Sequence, residues 1–271
     1  MKAGVLALHA TLAATGAIGR RVHRLHPTRP SPAEVAALFA GVPAVTATAM
    51  AGLMSGARYQ NRALVEIARR RGVSLLRDLV DPASLDGLRA LLGSPAILVA
   101  WHVGPPFGLA GAFEAVGLHV LLLRKTLSYG TTPTLEVAAV DGGGSDRSAA
   151  FRLALARLRA GGVVLIAVDV GEASQTAPVP CFGRARSMAR GPFALARLTG
   201  VPLLPLAARL DDDQRVRVSM GAPLAGAGLG DALEASLAAG AAAWLEGFVR
   251  DAPGQLRRSV LHWLLEAPAI R

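Results

Sequence analysis

Residues 96–106 read Ala-Ile-Leu-Val-Ala-Trp-His-Val-Gly-Pro-Pro, and the fold class follows from this run. Its first six residues are apolar without interruption, which is typical of a strand buried on both faces of a parallel sheet. His102 follows at once, and Gly104 and two prolines then end the extended pattern. We expect a strand over residues 96–101 with His102 at its carboxyl end.

Apolar strands and helices continue to alternate on the carboxyl side of this run. Further strands are predicted at 120–123, 163–168 and 203–208, with helices over 106–116, 147–159 and 192–199. Such alternation is typical of βαβ units. The sequence therefore predicts an α/β fold with a largely parallel central sheet flanked by helices. Ligands of these sheets bind beyond the carboxyl ends of the strands, where His102 is placed.

The positive charge of the chain is concentrated at its amino terminus. The chain has 271 residues, 52% of them hydrophobic, and a formal net charge of +10. Five basic residues and no acidic ones lie within the first 33 positions. No nucleic-acid partner is expected, because the chain has 2 tyrosines and no motif that interleaves basic with aromatic side chains. A basic arm next to an apolar stretch favours an anionic membrane surface as the partner.

Cysteine usage restricts the chemistry further. The single cysteine, Cys181, excludes an internal disulfide and offers no cluster for a metal. We expect neither a cofactor nor a metal site, and we expect Cys181 to be a small buried residue.

The first 57 residues are apolar or basic and predict a membrane-associating helical segment. Residues 3–19 are shorter than the ~20 apolar residues that span a bilayer, so an interfacial helix fits better than a single spanning anchor, although both stay open. If the stretch does insert, the positive residues after it favour the cytoplasmic side. Residues 35–57 carry no charge, and Pro43 predicts two short helices there. This pair enters the headgroup region, lines an apolar channel or packs on the core as an ordinary hairpin. We assign residues 58–271 to the α/β domain.

Two titratable residues, His102 and Asp169, follow predicted strands at the same edge of the sheet. A histidine among apolar neighbours is commonly a core residue, but the strand-end position favours catalysis. Asp169 is either a catalytic carboxylate or an ion-pair partner. Gly104 permits close backbone approach, and Pro105 and Pro106 predict the first turn of a helix. The positive end of that helix would face a carbonyl oxygen that develops negative charge.

A basic stretch precedes the helix predicted at 192–199. Arg184, Arg186 and Arg190 lie within it. A loop of this kind before a helix amino terminus binds phosphate or another anion, or is a solvated basic turn.

These motifs, in this order, resemble the lysophospholipid acyltransferase superfamily, and most closely its bacterial lipid A (lauroyl/myristoyl) and phosphatidylinositol-mannoside acyltransferase branch. The similarity runs from about Tyr59 to about Pro223. The matching residues are His102 and Gly104, Arg124, Asp169, Phe182 and Gly183, and the spaced set Gly191, Pro192, Leu195, Ala196, Thr199, Gly200 and Pro202. The last set is the most specific.

The resemblance implies a glycerol-phosphate-acyltransferase-like fold and an acyltransferase at the cytoplasmic face of the bacterial inner membrane. The acyl chain would pass from acyl carrier protein or acyl-CoA to a hydroxyl or amine of a lipid, glycolipid or pathway intermediate. His102 is then the general base, and we assign Asp169 as its catalytic partner. The expected substrate or anion contacts are Gly104, Arg124, Gly183, Arg190 and Gly191.

The chain departs from this family at the acid of the His-x4-Asp/Glu motif, where Phe107 stands. Glu114 lies two helical turns further on, on the order of 10 Å along the helix axis, so Asp169 is the better replacement. Two hypotheses stay open: an active acyltransferase, and a catalytically degenerate or repurposed relative that binds acyl chains or acyl carrier protein. A purely structural membrane-surface protein ranks below both.

Overall fold

The computed structural model describes residues 3–25, 30–39, 42–124, 132–140, 144–169 and 176–265. Its α-helices are α1 (Ala3–Leu25), α2 (Pro32–Leu38), α3 (Ala44–Arg71), α4 (Asp86–Arg89), α5 (Gly108–Val116), α6 (Gly144–Arg159), α7 (Gly191–Thr199), α8 (Asp231–Asp251) and α9 (Arg258–Leu265). Its strands are β1 (Ala96–Ala100), β2 (Val120–Arg124), β3 (Leu135–Ala139), β4 (Val163–Ala167), β5 (Thr176–Cys181), β6 (Arg184–Ala189), β7 (Leu203–Leu210) and β8 (Val216–Met220). Short 3-10 helices lie at Val73–Leu79, Pro82–Ser84 and Pro253–Gln255.

Six strands form one sheet in the order β3-β2-β4-β1-β7-β8. All neighbouring strands in it are parallel except the β7 and β8 pair. The prediction of an α/β fold with a mostly parallel central sheet flanked by helices is confirmed. The sequence did not reveal β3 and β8, because these edge strands contain polar residues and lack the continuous apolar run of a central strand.

The side chains of β1 alternate between two hydrophobic cores. Ile97 and Val99 belong to the core that includes α7, α8 and α9, and Leu98 and Ala100 belong to the one that includes α1 and α5. Ile97, Leu98 and Val99 are fully buried. Burial on both faces requires the uninterrupted apolar run, and it leaves the strand end as the place for a polar side chain.

The amino-terminal helix α1 packs along α3. Gln60 Nε2 donates to the Leu12 carbonyl at 3.2 Å, and Ser55 Oγ donates to the Gly19 carbonyl at 3.2 Å. The Leu12 side chain is completely buried. Helix α1 is therefore part of the packed body. Within the described ranges, no helix is both long and apolar enough to cross a bilayer.

Two helices are separated at Pro43, as predicted, but the second one is not short. Helix α2 ends before Pro43, and α3 begins directly after it and runs for 28 residues. It continues because Met54, Ala57, Leu64 and Ala68 lie at helical spacing and are all buried. The predicted boundary between residues 57 and 58 falls inside α3, and the membrane association of the preceding segment stays a prediction.

The basic stretch after Cys181 is the second strand of a hairpin, so its prediction as a loop is wrong. Phe182 and Gly183 form the turn between β5 and β6, with φ of 50° and 68°. Arg186 is buried and donates to the Leu264 carbonyl at 3.0 Å, while Arg184 donates to Leu265 at 3.3 Å. These carbonyls end α9, where the helix leaves them unpaired. Burial, together with the neighbouring Arg184, lowers the pKa of Arg186.

A buried carboxylate joins α7 to α8. Glu234 is buried, accepts from Arg197 Nε at 2.6 Å, and is also hydrogen-bonded to Arg190. Burial raises the pKa of Glu234, but the hydrogen bonds from the two arginines outweigh this and lower it. Glu234 therefore remains ionised, and its charge fixes both guanidinium groups.

Replacing Glu234 by Gln is expected to lower the free energy of unfolding by about 3 kcal/mol, because two guanidinium groups lose their buried counter-charge. The lowered pKa means that this stabilisation is present above the unfolded pKa of Glu234 and disappears as the pH falls through the folded pKa. Urea unfolding at pH 7 and at lower pH should show that the difference in free energy of unfolding between wild type and Glu234→Gln becomes smaller on acidification. Glu66→Gln, at an exposed carboxylate, is the control and should change little. A difference in unfolding free energy that increases on acidification would contradict the conclusion that Glu234 is ionised in the folded protein.

Candidate active site

The register of two neighbouring strands places His102 beside Asp169. In the parallel pair of β1 and β4, Ala100 is opposite Ala167. His102 and Asp169 each follow their strand's paired residue by two positions, so both leave the sheet at the same carboxyl edge. The Val168 N–H donates to the Ala100 carbonyl at 3.0 Å and extends the pairing toward this edge.

Asp169 contacts His102 through both carboxylate oxygens. Oδ1 lies 2.9 Å from Nδ1 of His102, and Oδ2 accepts the His102 backbone N–H at 2.8 Å. The Asp169 side chain is 1% exposed, whereas that of His102 is 39% exposed. An ionised carboxylate accepts from Nδ1–H, which assigns the ring proton to Nδ1 and leaves Nε2 able to accept one. This is the geometry of an oriented general base.

The segment after His102 does not supply a second acid. Phe107 stands where the resembled motif has its carboxylate, and it packs against the core that includes α1 and α5. Glu114 lies 3.9 Å from the Arg77 guanidinium. Asp169 is therefore the carboxylate that pairs with His102, and it comes from a different strand.

The helix predicted from position 106 begins two residues later. Pro105 and Pro106 precede α5, because Phe107 has a left-handed backbone with φ of 60° and α5 starts at Gly108. A side chain other than glycine in this conformation is held there by its surroundings. The prediction that the prolines form the first helical turn beside His102 is wrong.

Gly104 holds this loop against β7. Its φ is 69°, and a Cβ added there would lie 1.7 Å from the Ala208 carbonyl oxygen. Its N–H donates to the Gln255 carbonyl at 2.8 Å. The Gln255 side chain in turn accepts from the Leu210 N–H at 3.0 Å and donates to the Leu210 carbonyl at 3.1 Å. The close backbone approach predicted for Gly104 is therefore an approach to the Ala208 carbonyl of β7.

The other predicted contact residues lie in several places. Arg124 ends β2, and its side chain falls outside the described part of the structure. Gly183 is in the hairpin turn, and Gly191 begins α7. Arg190 follows β6, and its guanidinium is paired with Asp231 and Glu234 of α8. The structure brings His102, Asp169 and Gly104 together, and it commits the Arg190 guanidinium to α8.

A cleft beside the histidine loop was not predicted. It has a volume of about 310 Å³, and Pro106 lies on its wall. Arg58 and Arg62 of α3 line the same cleft, as does Arg257. The one sequence signal for this site is the spacing of Arg58 and Arg62, four residues apart after a long charge-free stretch.

Cys181 is not a candidate nucleophile. It is completely buried. Burial, aided by the negative charge of Glu246, raises the pKa of its thiol to about 12. The reactive thiolate is therefore scarce near neutral pH. Among the described residues, no group of three or more His, Cys, Asp or Glu side chains is placed to hold a metal ion.

Residues 141–265 match the family model of bacterial lipid A biosynthesis acyltransferases. A comparison with curated proteins gave no match. The matched region contains Asp169, the β5–β6 hairpin and α7, and His102 precedes it. The match supports the lipid A acyltransferase family, and with it a lipid acyltransferase activity that uses an acyl donor and a lipid acceptor.

Gly104→Ala is expected to abolish the folded loop, because the new methyl group would overlap a backbone oxygen of β7 and would occupy a strained φ. We expect a large loss of soluble, cooperatively unfolding protein, or of activity in any folded fraction. Gly247→Ala is the control, since a Cβ there meets no atom within 4 Å and α8 continues through it. Circular dichroism melting of both variants checks this, and an unchanged melting temperature for Gly104→Ala would contradict it.

Proposed function

We propose that this protein transfers an acyl chain from the thioester of acyl carrier protein or coenzyme A to a hydroxyl or amine of a lipid, glycolipid or pathway intermediate. The observation that carries the proposal is the contact between His102 and Asp169. It supplies the base and the carboxylate that the reaction requires, although Phe107 replaces the acid of the resembled motif. This intact pair favours an active enzyme over a degenerate one.

The reaction begins when Nε2 of His102 takes the proton of the acceptor hydroxyl or amine. The acceptor oxygen or nitrogen then forms a bond to the thioester carbonyl carbon, and the carbonyl oxygen becomes negatively charged in a tetrahedral intermediate. When the intermediate collapses, the carbon–sulfur bond breaks, and the imidazolium returns its proton to the leaving thiolate. The products are the acylated acceptor and a free thiol.

Asp169 contributes to this reaction without taking the proton. Its Oδ1 holds the Nδ1–H tautomer and stabilises the imidazolium that forms. Its Oδ2 accepts the backbone N–H of His102, so Asp169 holds both the ring and the backbone of His102. Because the carboxylate is almost fully buried, its charge acts on the ring with little screening by water.

His102→Ala is expected to lower kcat by about 10³- to 10⁴-fold, because the base is removed. Asp169→Asn is expected to cost up to about 10⁴-fold, because an amide nitrogen facing the ring reverses the tautomer. Free thiol release from a panel of acyl-carrier-protein and acyl-CoA thioesters measures both. Glu114→Gln is the matched control, since this carboxylate faces Arg77, and it should retain activity. Equal thiol release from wild type and His102→Ala would exclude the catalytic role of His102.

We also propose that the protein acts at the cytoplasmic face of the bacterial inner membrane, with α1 as a peripheral contact. Leu6 and Ile18 of α1 are 53% and 54% exposed although they are large and apolar. Arg20 and Arg21 lie in the same helix and suit an anionic surface.

Leu6→Gln combined with Ile18→Gln is expected to weaken binding to phosphatidylglycerol vesicles by about tenfold or more, since each apolar side chain contributes on the order of 1 kcal/mol when it enters the interface. Co-sedimentation with vesicles measures the binding. Leu229→Gln is the control, because Leu229 is 89% exposed and lies outside α1. Vesicle binding that is equal in all three proteins would exclude α1 as the membrane contact.

A further inference from the structure

The cleft beside the histidine loop lies between α3 and the segment that leads into α9. Arg58 and Arg62 line it from α3, and Leu256 and Arg257 line it from the other side. Pro106, on its wall, belongs to the loop that begins at His102. The cleft therefore adjoins the proposed catalytic loop.

The loop and the cleft share a hydrogen-bonded support. The Gly104 N–H, between His102 and Pro106, donates to the Gln255 carbonyl at 2.8 Å. Gln255 directly precedes the cleft residues Leu256 and Arg257. A molecule held in the cleft is thus held against the same segment that positions His102.

Arg58 and Arg62, the two arginines that α3 contributes to the cleft, have no acidic partner among the described residues. Arg58 is half-buried and Arg62 is exposed. Across the part of the chain that the structure describes, no carboxylate forms an ion pair with either of them. Two cations spaced four residues apart on a helix repel each other, so an anion bound between them would stabilise the pair.

The acidic residue of the cleft, Glu66, is neutralised by its own helix. Its carboxylate accepts from Arg69 Nε at 3.1 Å and from Arg69 Nη2 at 2.8 Å, and it is also hydrogen-bonded to Arg70. The hydrogen bond from Arg69, together with that from Arg70, outweighs the opposing effect of burial and lowers the pKa of Glu66 to about 2. Glu66 is therefore committed to Arg69 and Arg70, and Arg58 and Arg62 keep their charge.

Apolar side chains of α3 also line the cleft, which contains the polar residues Asn61 and Ser259 as well. Met54, Ala57 and Val65 line the cleft beside the two arginines. An anion that also carries an acyl chain fits this combination, since the chain meets apolar side chains while guanidinium groups bind the anion.

We propose that Arg58 and Arg62 bind a phosphate group of the lipid acceptor and so hold the acceptor beside His102. The part of this proposal that concerns acyl transfer rests on the proposed function. The binding of the phosphate by Arg58 and Arg62 does not depend on it. Met54, Ala57 and Val65 line the cleft directly beside the two arginines, and this apolar lining assigns the phosphate to the lipid acceptor rather than to the soluble acyl donor.

A binding experiment tests the site without turnover. Isothermal titration of the full chain with hexanoyl-lysophosphatidic acid and with monohexanoylglycerol compares two ligands that differ in the phosphate. Wild type should bind the phosphate-bearing ligand at least tenfold more tightly. Arg58→Gln with Arg62→Gln should remove this preference, whereas Arg58→Lys with Arg62→Lys should keep part of it. Arg71→Gln, at an exposed arginine of α3 outside the cleft, should keep all of it.

Equal affinity of wild type for the two ligands would overturn the proposal. So would an unchanged preference in the double Gln variant, provided that its melting temperature matches that of the Arg71→Gln protein. If the Gln variant does not fold, the double Lys variant decides: a partial loss of the preference supports the site, and a preference equal to that of wild type overturns it.

A kinetic experiment then identifies the source of the phosphate. With a phosphate-free donor, an acyl thioester of N-acetylcysteamine, the double Gln variant should show a KM for lysophosphatidic acid raised at least tenfold and an unchanged kcat. With monoacylglycerol as the acceptor, the variant and wild type should not differ. If the variant instead fails with acyl-CoA and a phosphate-free acceptor, the cleft binds the donor and the proposal is overturned.

The two proposals fail separately. Phosphate-selective binding by a wild-type protein that transfers no acyl chain from any donor would refute the proposed function and retain the site. Normal transfer by the double Gln variant with every acceptor would refute the site and retain the function.

Discussion

The carboxylate of Asp169 accepts hydrogen bonds from both the ring and the backbone of His102, and both bonds depend on the register of β1 with β4. The two residues lie side by side because Ala100 and Ala167 are paired two positions earlier. A shift of one residue would separate the side chains and turn one of them toward the opposite face. The hydrogen bond from the Val168 N–H to the Ala100 carbonyl, at 3.0 Å, extends this register to the strand ends. The proposed chemistry therefore depends on the packing of the sheet.

The loop after His102 is held in place by β7, the neighbour of β1 on the side away from β4. Gly104 lies against the Ala208 carbonyl of β7, and Gln255 binds both this loop and the end of β7. β1, its parallel neighbour β4 and its parallel neighbour β7 thus each contribute to one edge. The same support continues into the cleft through Leu256, so one segment supports both the loop after His102 and the cleft wall.

The arginines near the site have three different roles, which their positions in the chain do not reveal. Arg184 and Arg186 bind carbonyls at the end of α9, and Arg190 and Arg197 neutralise the buried Glu234. Arg58 and Arg62 have no such acidic partner among the described residues and line a cleft. The basic stretch that looked like an anion site in sequence is thus structural in large part, and a less conspicuous pair on α3 is better placed to bind a ligand.

The sequence by itself determined the α/β class, the central strands and the strand-end positions of His102 and Asp169, because a strand buried on both faces must be apolar throughout and then stop. It also determined that Phe107 stands in place of an acid. Tertiary structure decided the rest. The contact between His102 and Asp169 joins residues 67 positions apart and needs the strand register. Which faces are covered by neighbouring elements decides the edge strands β3 and β8, the length of α3 and the hairpin of β5 and β6. The local sequence of each element does not contain this information. The charge balance of each arginine depends in the same way on distant carboxylates and carbonyls, which only the packed fold brings within reach.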